Sequence, residues 1–182
     1  MKRIFVLASL ALFTACNSNE PAKTDAMKSG MDSTMQAINS PYVIGYSSKF
    51  VMDDPKNAES LLTLWKDWDN GNLSAHKDLF ADSMSMTFAD GSMMHTSRDS
   101  ALAAAQSMRN NFASAVSSVN AIMAVKSTDK NENWAIIWGK EVDTDKKGKV
   151  DSTYLQETWR FNKDGKTDLM FQYKQAIPPP KK

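Results

Sequence analysis

The chain has 182 residues, 42% of them hydrophobic, and a formal net charge of +1. That length and apolar content suffice for one packed domain with tails, and the near balance of charge excludes the basic face that nucleic-acid binding demands. A single cysteine excludes a disulfide framework.

Lys2 and Arg3 precede an apolar run from Ile4 to Phe13, followed by Thr14-Ala15-Cys16. A basic start, a short greasy segment and small residues at a cleavage point make residues 1–15 an export signal. The run is too short to span a bilayer, which takes roughly 20 residues. Phe13-Thr14-Ala15-Cys16 resembles the bacterial lipobox, with Phe13 in place of the usual Leu. The resemblance implies diacylglyceryl transfer to the Cys16 thiol, cleavage before it, and acylation of the new amino terminus. Several acyl chains anchor stably where one does not, so the expected location is the bacterial cell envelope, with the domain outside the cytoplasm and lipid-anchored to a membrane through Cys16. An ordinary secretory signal leaving a free thiol is the alternative. Loss of Lys2 and Arg3 would take the net charge from +1 to −1.

Residues 16–40 are rich in Asn, Ser, Lys, Asp, Thr and Met and carry little periodic apolar character. They read as a flexible tether, although Met27, Met31 and Met35 fall at helical spacing. Tyr42 to Tyr46 and Phe50 to Met52 form an extended arm, because Pro41 and Gly45 oppose a helix. Asp53 or Asp54 caps a helix with Pro55 in its first turn. Leu61, Leu62, Leu64, Trp65 and Trp68 make its inner face, while Glu59, Lys66, Asp67 and Asp69 point outward. Asn70-Gly71-Asn72 ends it, and a short second helix is expected from Leu73 to Phe80.

Met84, Met86 and Phe88 alternate with polar residues, the period of a strand with one buried face. Asp90-Gly91 turns it back into a strand containing Met93, Met94 and His95. Thr96 or Ser97 then caps a helix from Asp99 to Phe112, with Ala101, Leu102, Ala105 and Met108 inward. Four strands follow as an antiparallel meander: 116–125, 134–142, 150–161 and 167–176. Residues 177–182 carry three prolines and two lysines and end the sheet as a tail.

This order of elements resembles the nuclear transport factor 2-like (NTF2-like) superfamily, which includes the SnoaL-like and ketosteroid isomerase-like proteins. The likeness rests on Trp65-Lys66-Asp67-Trp68-Asp69-Asn70-Gly71-Asn72, Leu79-Phe80-Ala81-Asp82, Asp90-Gly91, Ser97-Arg98-Asp99 and Trp159-Arg160-Phe161-Asn162-Lys163-Asp164-Gly165-Lys166, and covers about residues 55–176. It implies an α+β cone over residues 41–176, in which a curved antiparallel sheet wraps around N-terminal helices and leaves an apolar pocket. The isomerase-type members use an aspartate base, a tyrosine and a protonated acid. Along these motifs the base position falls on Phe88 and the tyrosine position near Leu64, neither of which transfers protons, and only the acid position is matched in kind, by Glu157.

Leu155, Glu157, Trp159 and Phe161 share one strand face, and Trp134, Ile136 and Trp138 share another, taken here as pocket-facing. The expected pocket is lined by Trp65, Met84, Met86, Phe88, His95, Trp138, Glu157, Trp159 and Tyr173, and a packed core would use the same residues. Glu157 would serve as an acid or ligand anchor, or pair with Lys140 or Arg160 across strands. His76 reads as a solvated surface histidine. No HExxH, paired Cys or His–carboxylate cluster appears, so no metal or cofactor is expected. The expected function is a small-molecule-binding or interaction module, holding a small apolar ligand and able to form a homodimer through Val150, Tyr154 and Thr158 on the outer sheet face. The alternative is a SnoaL-like enzyme using His95, Glu157 or Tyr173 on a lipophilic or cyclic substrate.

Overall fold

A computed structural model describes residues 38–176 of the chain. The expected export signal, Cys16, most of the tether and the 177–182 tail lie outside the described residues. Ten elements follow one another: β1 (Phe50–Met52), α1 (Lys56–Asn70), a 3-10 turn (Lys77–Leu79), β2 (Phe80–Thr87), β3 (Met93–Ser97), α2 (Arg98–Arg109), β4 (Phe112–Ser127), β5 (Glu132–Asp145), β6 (Val150–Phe161) and β7 (Thr167–Ala176). The strands form one curved seven-stranded sheet in the order β1-β4-β5-β6-β7-β2-β3. The class is α+β, as expected, but the sheet is mixed. The β2–β3 hairpin docks with β2 parallel to β7, and every other pairing is antiparallel.

Local chemistry accounts for the element boundaries. Asp54 Oδ1 accepts from the Lys56 N–H at 3.0 Å at the start of α1. Gly71 ends the helix at φ 70°, a left-handed conformation that glycine adopts without strain, and the Gly71 and Asn72 N–H groups close on the carbonyls of Trp68 and Asp67. Arg109, a buried side chain of α2, takes the Asp69 carbonyl and adds a second donor to that of Trp68. Its Nε donates to Trp68 O at 2.7 Å and its Nη2 to Asp69 O at 3.0 Å. A guanidinium at a helix C-terminus also opposes the negative end of the dipole. Ser97 caps α2 through the Ser100 N–H.

Several local expectations are corrected. The helix expected from Leu73 to Phe80 shrinks to a single 3-10 turn, because Phe80 and Met84 are drawn into the sheet and Phe80 already starts β2. Asp67, placed outward by periodicity, is buried at 5% exposure. Met108 and Leu62, both placed inward, are 54% and 37% exposed. The arm lies against the domain from Tyr46 onward, where Tyr46 meets the Trp134 ring edge-on at 6.1 Å, the Thr128 N–H donates to Lys49 O and β1 joins the sheet edge against β4, while Tyr42 and Val43 stand in solvent.

The core lies between the concave sheet face and α1 and α2. Leu61, Leu64 and Trp65 of α1 meet Ala135, Ile137, Leu155 and Trp159 of the sheet. Trp65 lies so close to β5 that a Cβ at Gly139 would sit 2.6 Å from its ring and 2.6 Å from Ser118 O. Gly139 therefore admits the indole to the sheet. Gly139→Ala should lower stability by about 1–3 kcal/mol through overpacking, read as a lower urea midpoint; an unchanged midpoint would show that α1 can withdraw without cost.

Candidate functional site

α1, α2, the hairpin and the concave sheet face enclose a cavity of about 220 Å³. Leu64 and Trp68 line it from α1, Met86 and Phe88 from the hairpin, Ala101 and Ala105 from α2, and Leu155, Trp159 and Met170 from the sheet. Small side chains on α2 leave the space open, since alanines at these positions cannot fill the gap between helix and sheet. Both positions at which the isomerase resemblance demands a base and a tyrosine, Phe88 and Leu64, are apolar wall.

Of the expected pocket residues, Trp65, Met86, Phe88, Glu157 and Trp159 line the cavity. Met84 is fully enclosed in the core beside it. His95 faces solvent on β3, with its Nδ1 2.9 Å from Ser85 Oγ. Trp138 and Tyr173 fall in one cross-strand row with Gln156 on the outer face, and Tyr173 is 59% exposed. His95 and Tyr173 thus lie outside the cavity lining.

Glu157 occupies the inward row Ile137–Glu157–Gln172. Its Oε2 accepts from Trp65 Nε1 at 2.8 Å and Trp159 Nε1 at 3.0 Å, and its Oε1 from Gln172 Nε2 at 2.9 Å. It pairs with neither Lys140 nor Arg160. Arg160 binds Asp168 at 2.9 Å and Glu132 at 3.2 Å on the other face, above Trp134. Glu157 is therefore a buried acceptor satisfied by three neutral donors.

The polar end of the cavity was hidden in the sequence. Glu141 and Asp143 follow Gly139 at alternate positions on the inward face of β5, and both line the cavity with Lys174. Burial and the neighbouring Asp143 push the Glu141 carboxyl from its ordinary 4.5 up to about 7, although Trp68 Nε1 donates to it. Burial raises Asp143 as well. Asp67 also reaches the cavity, with His76 Nδ1 2.9 Å away, so His76 is a half-exposed surface side chain that hydrogen-bonds to Asp67. The signal for the pair was the period-two run Gly139, Glu141, Asp143. Taking Trp134, Ile136 and Trp138 as inward turned that run away from the pocket, since a shift of one residue exchanges every side chain between faces. Among the described residues, no group of three His, Cys, Asp or Glu is arranged to hold a metal ion.

No protein-family model matches the chain, and no curated protein sequence matches it. Solved structures do. AusH from Aspergillus nidulans is similar with a TM-score of 0.55 at 10% identity, over 71% of this chain and 90% of that one. IdmH, a putative polyketide cyclase from Streptomyces antibioticus, matches with a TM-score of 0.52 at 13% identity, over 65% of this chain and 91% of that one. An NTF2-like protein of unknown function from Exiguobacterium sp. 255-15 matches with a TM-score of 0.52 at 14% identity, over 65% of this chain and 99% of that one. The fold is NTF2-like.

The raised Glu141 carboxyl has a signed consequence. Its protonated form is favoured on folding, so its stabilising effect is complete below about pH 4.5 and is lost as pH rises through about 7. Glu141→Gln removes that loss. At pH 8 the variant should be more stable than the parent by about 1–3 kcal/mol, with the advantage gone at pH 4.5; thermal melts at both values check it, and a pH-independent difference would contradict it.

Proposed function

We propose that this chain is a binding module whose cavity takes a small, largely apolar molecule. The observation that carries the reading is the cavity of about 220 Å³, walled by Trp, Phe, Met and Ala side chains with a few convergent polar groups at one end. Such a composition suits ligand recognition, and Phe88 and Leu64 at the isomerase positions favour binding over that reaction. The lipobox-like Phe13-Thr14-Ala15-Cys16 supports an envelope location, with the domain tethered to a membrane through an acylated Cys16. A homodimer would cover the exposed Val150, Tyr154 and Tyr173 of the outer sheet face.

A second reading is favoured by one observation. Glu141, near 7, is poised to give or take a proton at neutral pH, the condition for a general acid or base. On that reading the module is a SnoaL-like enzyme acting on a lipophilic or cyclic substrate, with Glu141 and Asp143 replacing His95 and Tyr173 as candidates. Glu141→Gln would abolish its turnover, and ligand binding by the parent protein without turnover favours the module.

Native mass spectrometry of the full-length protein, purified without denaturation, tests the first reading and reports subunit number together. A retained small-molecule adduct is expected, and Ala105→Phe, which fills the cavity, should remove it. A bare mass in the parent, with no thermal shift across a panel of apolar compounds, would leave the cavity without a binding role.

A further inference from the structure

The ionisable groups of the cavity are mostly of one sign. Four carboxyls line it, from Asp67, Glu141, Asp143 and Glu157, against the single ammonium of Lys174. Protein donors occupy two of them: Asp67 is held by His76, and Glu157 by two indoles and an amide. Glu141 keeps only the indole of Trp68, and Asp143 Oδ1 is closed off from solvent with no donor from the protein. The side chain nearest in kind is the carboxyl of Glu141 itself, so a hydrogen bond between the two requires a proton on one of them. Lys174 stands exposed and acts on both at a distance, and the buried Arg109 acts on Asp143, neither making an ion pair to the two acids among the described residues.

A buried carboxylate oxygen without a donor is costly, and two adjacent carboxylates more so. The protein relieves this with a proton. A ligand ammonium would relieve it better, since it brings a positive charge and several N–H donors to both oxygens at once. The neighbouring wall suits the same ligand: Trp65, Trp68 and Trp159 and the phenyl rings of Phe80 and Phe88 line the space, and aromatic rings attract organic cations as well as hydrocarbon. An anion would meet four acids, and a ligand without a donor would leave the pair dependent on its own proton.

We infer that the occupant of the cavity is a lipophilic amine, its ammonium seated on the Glu141–Asp143 pair and its hydrocarbon body against the tryptophans. This rests on the reading of the cavity as a small-molecule site and adds the chemical class of what enters it. The amine enters as a cation and no covalent step is involved.

Calorimetric titration of the full-length protein at pH 8 with three probes of one shape tests it: 4-phenylbutylamine, 4-phenylbutanol and 4-phenylbutyrate. The amine should bind at least about tenfold more tightly than the alcohol, and the carboxylate should not bind detectably. Asp143→Asn should reduce the amine's advantage, and Lys174→Met, which removes the competing charge, should enlarge it; alcohol binding reports that each variant retains its cavity. Equal binding of amine and alcohol would overturn the inference and leave the binding reading standing, as would tighter binding of the carboxylate. Failure of all three probes to bind would overturn both.

Discussion

Helix and sheet meet at one carboxyl. Glu157 projects inward from β6 and takes hydrogen bonds from Trp65 on α1, Trp159 on its own strand and Gln172 on β7. Hydrogen bonds to a carboxylate contribute about 1.5–3 kcal/mol each, and a lost acceptor here would strand two indole N–H groups in an apolar interior. The same contact fixes where Trp65 lies, and with it the requirement that residue 139 have no side chain. Both indoles that donate to Glu157, Trp65 lying against the sheet and Trp159 on it, line the cavity.

The far end of α1 is held by a different device. Arg109 carries the end carbonyls of Trp68 and Asp69, and Gln106 bridges the Gly71 carbonyl and the Leu73 N–H. α2 is thereby joined to the end of α1 by polar contacts, which lets it stand across the cavity with alanines facing in and leaves the space unfilled. A helix packed by large apolar side chains would have closed it.

Glu141 and Asp143 oppose this economy. Two neighbouring carboxyls on one strand face, Glu141 buried and Asp143 partly so, weaken the fold at neutral pH, and of the two only Glu141 takes a hydrogen bond from the packing, from the Trp68 indole. Groups that cost stability and face an open cavity are where ligand chemistry is expected. β5 is regular through Gly139, Glu141 and Asp143, so one strand face carries both the glycine that seats Trp65 and the acids that line the cavity.

Much of the fold was legible in the residues. The inner face of α1, the Gly71 stop, the Ser97 cap, the Asp90-Gly91 turn and the four-strand meander all follow from periods of 3.6 and 2 and from turn chemistry, which act within a few residues. Glu157 and its neighbours Leu155, Trp159 and Phe161 were placed on the right face for the same reason. What the chain could not declare locally was the parity of β5, because both of its faces are apolar: Trp134, Ile136 and Trp138 on one, Ala135 and Ile137 on the other. Nor could it declare that Asp67 turns inward to meet His76 nine residues later, or that β2 would pair in parallel with β7. By itself the sequence determined most of the elements and their order, since those depend on neighbours along the chain; which face of β5 looks at the helix, and therefore which acids line the cavity, was decided only by the approach of Trp65 to Gly139 across the core.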